Sequence, residues 1–228
     1  MVTCSYHCEF GEINAKSQEG TIATIFGLPF STTGFTTDAA GIQLGDRFFD
    51  RRGRTWRFFA LSNDLTGNAT AANDVMVIAS TDVTYPSSLN FDYTTTTAVS
   101  PAYTVTNTVA NGLDYAAGAP VIAIVAGIMD GAVAEATAAT AAAFRGVLCM
   151  SEGFHLVAGD GTTESVSRGD HIILGAAASK AVGMQATIAG TDTTAETRGT
   201  QRSHIGWAVA ADEDTDNLIA CHVNCFTF

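Results

Sequence analysis

The chain has 228 residues, of which 46% are hydrophobic and only 15% charged, with a formal net charge of −12 and a pI near 4.6. That length is enough to bury a core in one domain or in two small ones. The acidity excludes a whole-surface affinity for nucleic acid or for anionic lipid, since both would repel it.

No basic stretch followed by an apolar run opens the chain, so no signal peptide is expected and the protein reads as made in the cytoplasm. Residues 21–27 read as a strand and 31–41 as a Thr/Gly loop. The sharpest local signal spans 45–60. There, two aromatic runs flank Asp50-Arg51-Arg52-Gly53, a β-hairpin turn with Gly53 at the position needing positive φ. Asn63-Asp64 and Gly67-Asn68 mark turns, and 75–79 is another strand. Residues 80–111 are rich in Thr, Ser and Asn. Val99, Tyr103, Val105 and Val109 follow a period-two pattern there, which suggests short exposed strands. Residues 121–128 read as a buried strand, and no apolar run reaches the roughly 18 residues of a membrane span. Residues 132–143 are mostly alanine, which fits a helix by propensity or a tightly packed strand. Further strands are expected at 144–150, 153–158, 172–174, 181–188, 205–210 and 218–226. Turn signals recur at the spacing of about 8–12 residues expected of a barrel or sandwich.

The composition agrees. Glycine is common at 22, proline scarce at 4, and threonine abundant, which suits turns and half-exposed strands. The expected fold is mainly β, a β-barrel or β-sandwich with long loops, in two β parts. Residues 1–93 form an N-terminal β region with an arginine-rich hairpin, 94–111 a Thr/Ser-rich connection, and 112–228 a second β domain. The only lysines are Lys16 and Lys180. A low-lysine, low-charge surface suits a protein that covers much of itself with neighbours.

Three pieces of the C-terminal half carry a resemblance. Glu164-Ser-Val-Ser-Arg-Gly-Asp-His-Ile-Ile-Leu174 is a polar lead-in, then Gly-Asp, then an apolar strand. Ile205-Gly-Trp-Ala-Val-Ala-Ala-Asp212 is an aliphatic strand running into an acidic turn. Asp216-Asn-Leu-Ile-Ala-Cys-His-Val223 is the closing strand. Over 112–228, about half the chain, this resembles the phage capsid decoration, or cement, proteins, which are small β-domain head proteins. Gly45-Asp46-Arg47-Phe48 and the stretch 60–65 have a similar flavour. The N-terminal half departs from the family as an added region carrying the arginine-rich hairpin. The resemblance implies a virion structural protein, not an enzyme, that needs no cofactor and sits on the outer capsid surface. Its implied partners are the major capsid protein and further copies of itself, often as a homotrimer, with no nucleic acid and no membrane. Alternatives are a tail, fibre-base or minor capsid subunit. From another class, a β-barrel carbohydrate-binding module would show exposed aromatics on one face. The only tryptophans are Trp56 and Trp207, and Trp207 lies in an apolar strand that reads as core.

The reactive residues do not form a familiar motif. The chain has no GxxxxGK[ST] loop, no GxGxxG after a strand, no GxSxG and no HExxH. His7, His155, His171, His204 and His222 are scattered. Ser203 and His204 are adjacent, so on a strand they point to opposite faces and make no nucleophile–base pair. The stretch 212–217 resembles the start of a calcium loop, but Asn217 replaces the sixth-position glycine and Val223 the twelfth-position glutamate, so it reads as an acidic turn. Cys4 and Cys8, near one end, mirror the spacing of Cys221 and Cys225 near the other, with Cys149 between. These residues read as buried small hydrophobes, as disulfides, or as zinc ligands. Within either pair, four strand residues span about 13 Å, too far for one disulfide without a turn. Arg47, Arg51, Arg52, Arg54 and Arg57 hold five of the eleven basic residues. They read as a capsid or subunit contact that grips acidic groups with forked hydrogen bonds. The other reading is a solvated hairpin whose arginines stack on Phe48, Trp56 and Phe58.

Overall fold

The computed structural model describes residues 47–50, 52–62, 64–80, 104–117, 123–133, 146–159, 166–177, 180–185, 203–211 and 217–225. They form ten strands: β1 (Arg47–Phe49), β2 (Thr55–Leu61), β3 (Val75–Ile78), β4 (Thr104–Thr106), β5 (Val125–Met129), β6 (Gly146–Ala158), β7 (His171–Ala177), β8 (Lys180–Gln185), β9 (His204–Ala208) and β10 (Leu218–Asn224). The strands hydrogen-bond in the order β1-β2-β4-β3-β5-β6-β10-β9-β7-β8, with a further pairing of β2 to β6. The protein is mainly β, as its composition implied. Among the described residues the helical pieces are two single 3₁₀ turns, Thr66–Asn68 and Val109–Asn111.

The pairings separate two regions. In the first, β2 pairs with β4, β4 with β3, β3 with β5, β5 with β6, and β6 back with β2, so five strands close a ring. Apolar runs such as Thr-Trp-Arg-Phe-Phe-Ala-Leu in β2 suit this position, because a strand covered on both faces has no solvent side to mark. Every residue of β2, β3 and β5 is buried. Alternate side chains feed two clusters. Trp56, Phe58, Val75, Val77, Leu148 and Met150 enter one, and Phe59, Leu61, Met76, Ile78, Val147 and Cys149 the other. Val125 and Ile128 reach the same cluster because the β3–β5 register shifts between Met76 and Val77.

The second region grows from the far half of β6. Residues 146–152 of β6 pair with β2, and 152–158 pair with β10. Two strands expected at 144–150 and 153–158 are therefore one. The polar pair Ser151-Glu152 reads as a break in the sequence, but it marks the handover between partners. Buried Ser151 donates to the Thr55 carbonyl while Glu152 faces solvent. From β10 the sheet continues antiparallel through β9, β7 and β8.

Strand β8 returns to the first region. Isolated bridges join Gly159 to Gly183 and Thr108 to Lys180. The Lys180 ammonium lies 2.6 Å from the buried Asp74 carboxylate. That carboxylate also accepts from the Asn107 amide at 3.2 Å and the Ala71 N–H at 2.8 Å. Strands on both sides of 94–111 share the one sheet, and Thr104–Thr106 of that stretch is β4, seated between β2 and β3. It is buried, not exposed. Its threonines are not on a solvent face: the Thr106 hydroxyl donates to the Asp64 carbonyl, and Val105 joins the core. The expected strand at 21–27, the loop at 31–41, alanines 134–143 and the acidic turn at 212–216 lie outside the described residues.

Candidate functional site

The arginine hairpin is built around one carboxylate. Asp50 accepts from the Arg52 N–H at 2.8 Å, the Arg54 N–H at 3.0 Å, the Arg54 guanidinium, and the Trp56 indole N–H at 3.2 Å. Gly53 takes φ 75°, the left-handed turn geometry its position demands. Burial by itself would raise the pKa of Asp50. The hydrogen bonds from Arg54 and Trp56, with the guanidinium charge, outweigh it and hold the carboxyl below its usual range. The Arg54 guanidinium also lies 4.9 Å over the Trp56 ring, one of the three rings expected to stack with arginine, but this arginine is buried and not solvated.

This arrangement divides the five arginines. Arg54 and Arg57 are buried, and Arg54 is spent on closing the turn. Arg47 and Arg52 are exposed, and Phe49, two residues from Arg47 and so on its side of β1, is 45% exposed. Arg51 lies outside the described residues. The candidate contact is therefore a basic and aromatic hairpin tip carried by Arg47, Phe49 and Arg52.

A second surface was not anticipated. Across β6, β10, β9 and β7, Phe154 lies opposite His222, His222 opposite Trp207, and Trp207 opposite His171. Direct cross-strand partners share a face. These four rings therefore form one row over four strands, spanning about 14 Å at three inter-strand spacings. Phe154 is 64% exposed, and Trp207 and the neighbouring Leu156 are 44% exposed. The Phe154 and His222 rings meet edge to face at 5.0 Å, and His171 and Trp207 lie tilted at 6.1 Å. Glu152 and Asn224, a directly opposed pair, border the row.

Trp207 is thus a surface residue, and the expectation that it belongs to the core is corrected. The β7–β9 register shifts between Ile172 and Ile173, so that Ile205 has no direct partner on β7. A bulge of this kind breaks the alternation: Ile205 and Gly206 both turn inward and Trp207 turns out. Gly206 is required here. A Cβ at that position would lie 2.1 Å from the His222 carbonyl oxygen. In the sequence, small Gly and Ala neighbours hide the alternation. The clearer signals were Glu152-x-Phe154-x-Leu156 and Leu218-x-Ala220-x-His222-x-Asn224, where polar or exposed residues alternate with Gly153, His155, Ile219, Cys221 and Val223.

Behind the row, His171 Nε2 and His204 Nδ1 lie 2.5 Å apart, so one imidazole donates its N–H to the other. The His204 ring also meets Trp207 edge to face at 4.7 Å. Burial lowers the pKa of both histidines. The charge of His171 pushes His204 further, to about 4. The row therefore carries a neutral imidazole pair at pH 7. His155 has a different task, joining Asp130 at 3.1 Å and the edge of Trp56.

Cys149, Cys221 and Cys225 are free, buried thiols. Burial raises all three pKa values, that of Cys221 to about 12 despite a backbone hydrogen bond from Trp207. Thiols held protonated are poor nucleophiles and poor metal ligands. Cys4 and Cys8 lie outside the described residues. Among the described residues, no three His, Cys, Asp or Glu side chains converge as metal ligands. Nor is any described helix long and apolar enough to cross a membrane. No family model, curated protein or solved structure matches this chain.

Proposed function

We propose that this chain is a non-enzymatic virion structural protein that binds the outer face of a phage-type capsid and stabilises it. The observation that carries the reading, beside the resemblance in 112–228, is the hairpin tip. A buried carboxylate network stiffens the turn, so Arg47, Arg52 and Phe49 project as a preformed basic and aromatic contact from a chain of net charge −12. Arginine and aromatic residues together are the composition of an interface core. The mechanism is mechanical. Each contact is weak, and many copies on a lattice multiply it.

Co-pelleting with undecorated capsids tests this. The native chain is expected to bind to a saturating copy number. The double variant Arg47→Glu/Arg52→Glu should bind at least about tenfold more weakly, since reversing two contact charges costs more than about 1.4 kcal/mol. Arg54→Glu is unsuitable, because it breaks the Asp50 network that shapes the turn. A native chain that stays in the supernatant at every concentration sinks the reading.

One observation favours a second reading. A carbohydrate-binding module requires exposed aromatics on one face, and the Phe154–Trp207 row supplies them. A glycan array showing saturable binding that Trp207→Ala abolishes would move the assignment there.

A further inference from the structure

We infer that His171 and His204 together form a binding site for one divalent cation of the zinc and copper class. This goes beyond the virion reading and does not depend on it.

The first argument is aim. His171 opens β7 and His204 opens β9, and the two strands pair antiparallel. Ile173 is the direct partner of His204 and lies two residues from His171, so both imidazoles stand on one face. There Nε2 of one ring points at Nδ1 of the other across 2.5 Å. Imidazole nitrogen suits zinc and copper and binds zinc at about 2.0–2.1 Å. Two such nitrogens on one ion stand about 2.9–3.4 Å apart, between the square and the tetrahedral angle. Opening the pair by less than about 1 Å therefore admits the ion.

The second argument is protonation. A cation competes with protons for imidazole lone pairs. Burial keeps both rings neutral at pH 7, so no charge has to be expelled. The N–H now shared between the rings moves to the outward nitrogen of the ring that carries it. Each histidine keeps one proton, and both inner lone pairs face the ion. The third argument is access. His171 is only partly buried, which leaves a way in from solvent. Asp170, the preceding residue, is already engaged by the Ser167 N–H at 2.7 Å and the Gln185 amide at 2.6 Å. Among the described residues no third side chain joins the pair, so water completes the shell.

Trp207 is a built-in reporter, 4.7 Å from the His204 ring and 6.1 Å from that of His171. The experiment is a titration of the full chain at pH 7 with copper(II), nickel(II) and zinc(II) salts. Trp207 fluorescence and calorimetry follow it. One ion per chain is expected, with copper(II) bound tightest and quenching the indole. His171→Ala and His204→Asn should each weaken binding at least tenfold. His222→Ala, on the other side of Trp207, should leave it unchanged. Zinc should also raise the urea midpoint of the native chain, because an ion held only by the fold stabilises it. It should not raise that of His171→Ala. Circular dichroism checks that each variant is folded, and His171→Ala, the more exposed site, decides if His204→Asn is not. Binding weaker than about 1 mM for every ion would overturn the inference. So would binding that survives both substitutions, or binding that His222→Ala weakens equally, since the ion would then sit elsewhere. None of these outcomes depends on capsid binding.

Discussion

The five-strand ring and the β6–β10–β9–β7 face use the same secondary structure to opposite ends. In the ring, β2 buries all seven of its residues. In the face, β10 alternates, with Ile219, Cys221 and Val223 inward and His222 and Asn224 outward. Strand β6 runs through both and changes character on the way. Leu148 and Met150 are buried within the ring, whereas Phe154 and Leu156 stand open in the face. A strand with both faces covered contributes stability. A strand with one face open leaves side chains available for contact, and those side chains contribute little to the fold. The two regions should therefore respond differently to mutation.

The largest expected effect is in the ring. Phe58→Ala removes a ring that is 1% exposed and packed among Trp56, Leu148 and Met150. It should cost about 3–5 kcal/mol, read as a lower urea midpoint with an unchanged slope. A cost below about 1 kcal/mol would mean that the ring collapses around the gap and is looser than its burial implies.

The tie between the regions comes next. Asp74 is 1% exposed and faces Lys180 across the junction of β3 and β8. Lys180→Met should cost about 2–4 kcal/mol, because it leaves a buried carboxylate without its cation. Lys180 is itself partly exposed, and Asn107 and the Ala71 N–H remain as partners, which holds the cost to the lower part of that range. If the two regions fold as one cooperative unit, this variant will still unfold in a single transition. Two transitions would show that Lys180 was coupling separable halves.

The contrast between the regions also explains what the sequence made legible. Strand positions were readable in both. The stretch expected at 75–79 is Val75–Ile78, and the turn at Asp50–Gly53 has the expected positive φ at Gly53. The ring itself was not readable, because β2–β4 and β2–β6 are pairings between residues about forty and ninety positions apart, and no local pattern encodes them. The hairpin was readable as a cluster of charge but not as a division into buried and exposed arginines. That division depends on Asp50, whose role appears only once the turn closes. The aromatic row was hidden for another reason. Its members come from four strands, and the bulge beside Trp207 breaks the very alternation by which a surface residue is recognised.

Acid should separate the regions by pH. In the unfolded chain His204 titrates near 6.5, and in the fold near 4. Between those values the unfolded state binds more protons, so stability falls as pH drops from 6.5 toward 4, and below that this group adds no further loss. Allowing for solvent around a half-open face, the loss should be about 1–2 kcal/mol. His204→Asn should flatten the slope in that window. The pKa of Asp50, in the ring's hairpin, is also lowered, but from an ordinary carboxyl value of 3.8, so its contribution survives that window and is lost only in stronger acid. Urea midpoints at pH 7, 5.5 and 4.5 measure the first loss. A slope that His204→Asn leaves untouched would assign the acid sensitivity to other groups.

The smallest effect on stability should be at the most exposed ring. Phe154 is 64% exposed, and its described neighbour is the edge of the His222 imidazole at 5.0 Å. Phe154→Ser removes apolar surface that folding has mostly left in water, so hydrophobic bookkeeping gives it almost no share in the fold. The residual edge contact is worth at most about 0.5–1 kcal/mol. The urea midpoint should be nearly that of the native chain. If Phe154→Ser instead destabilises the fold as much as a ring-core substitution does, the face is closed by the chain itself, and the contrast between the two regions fails.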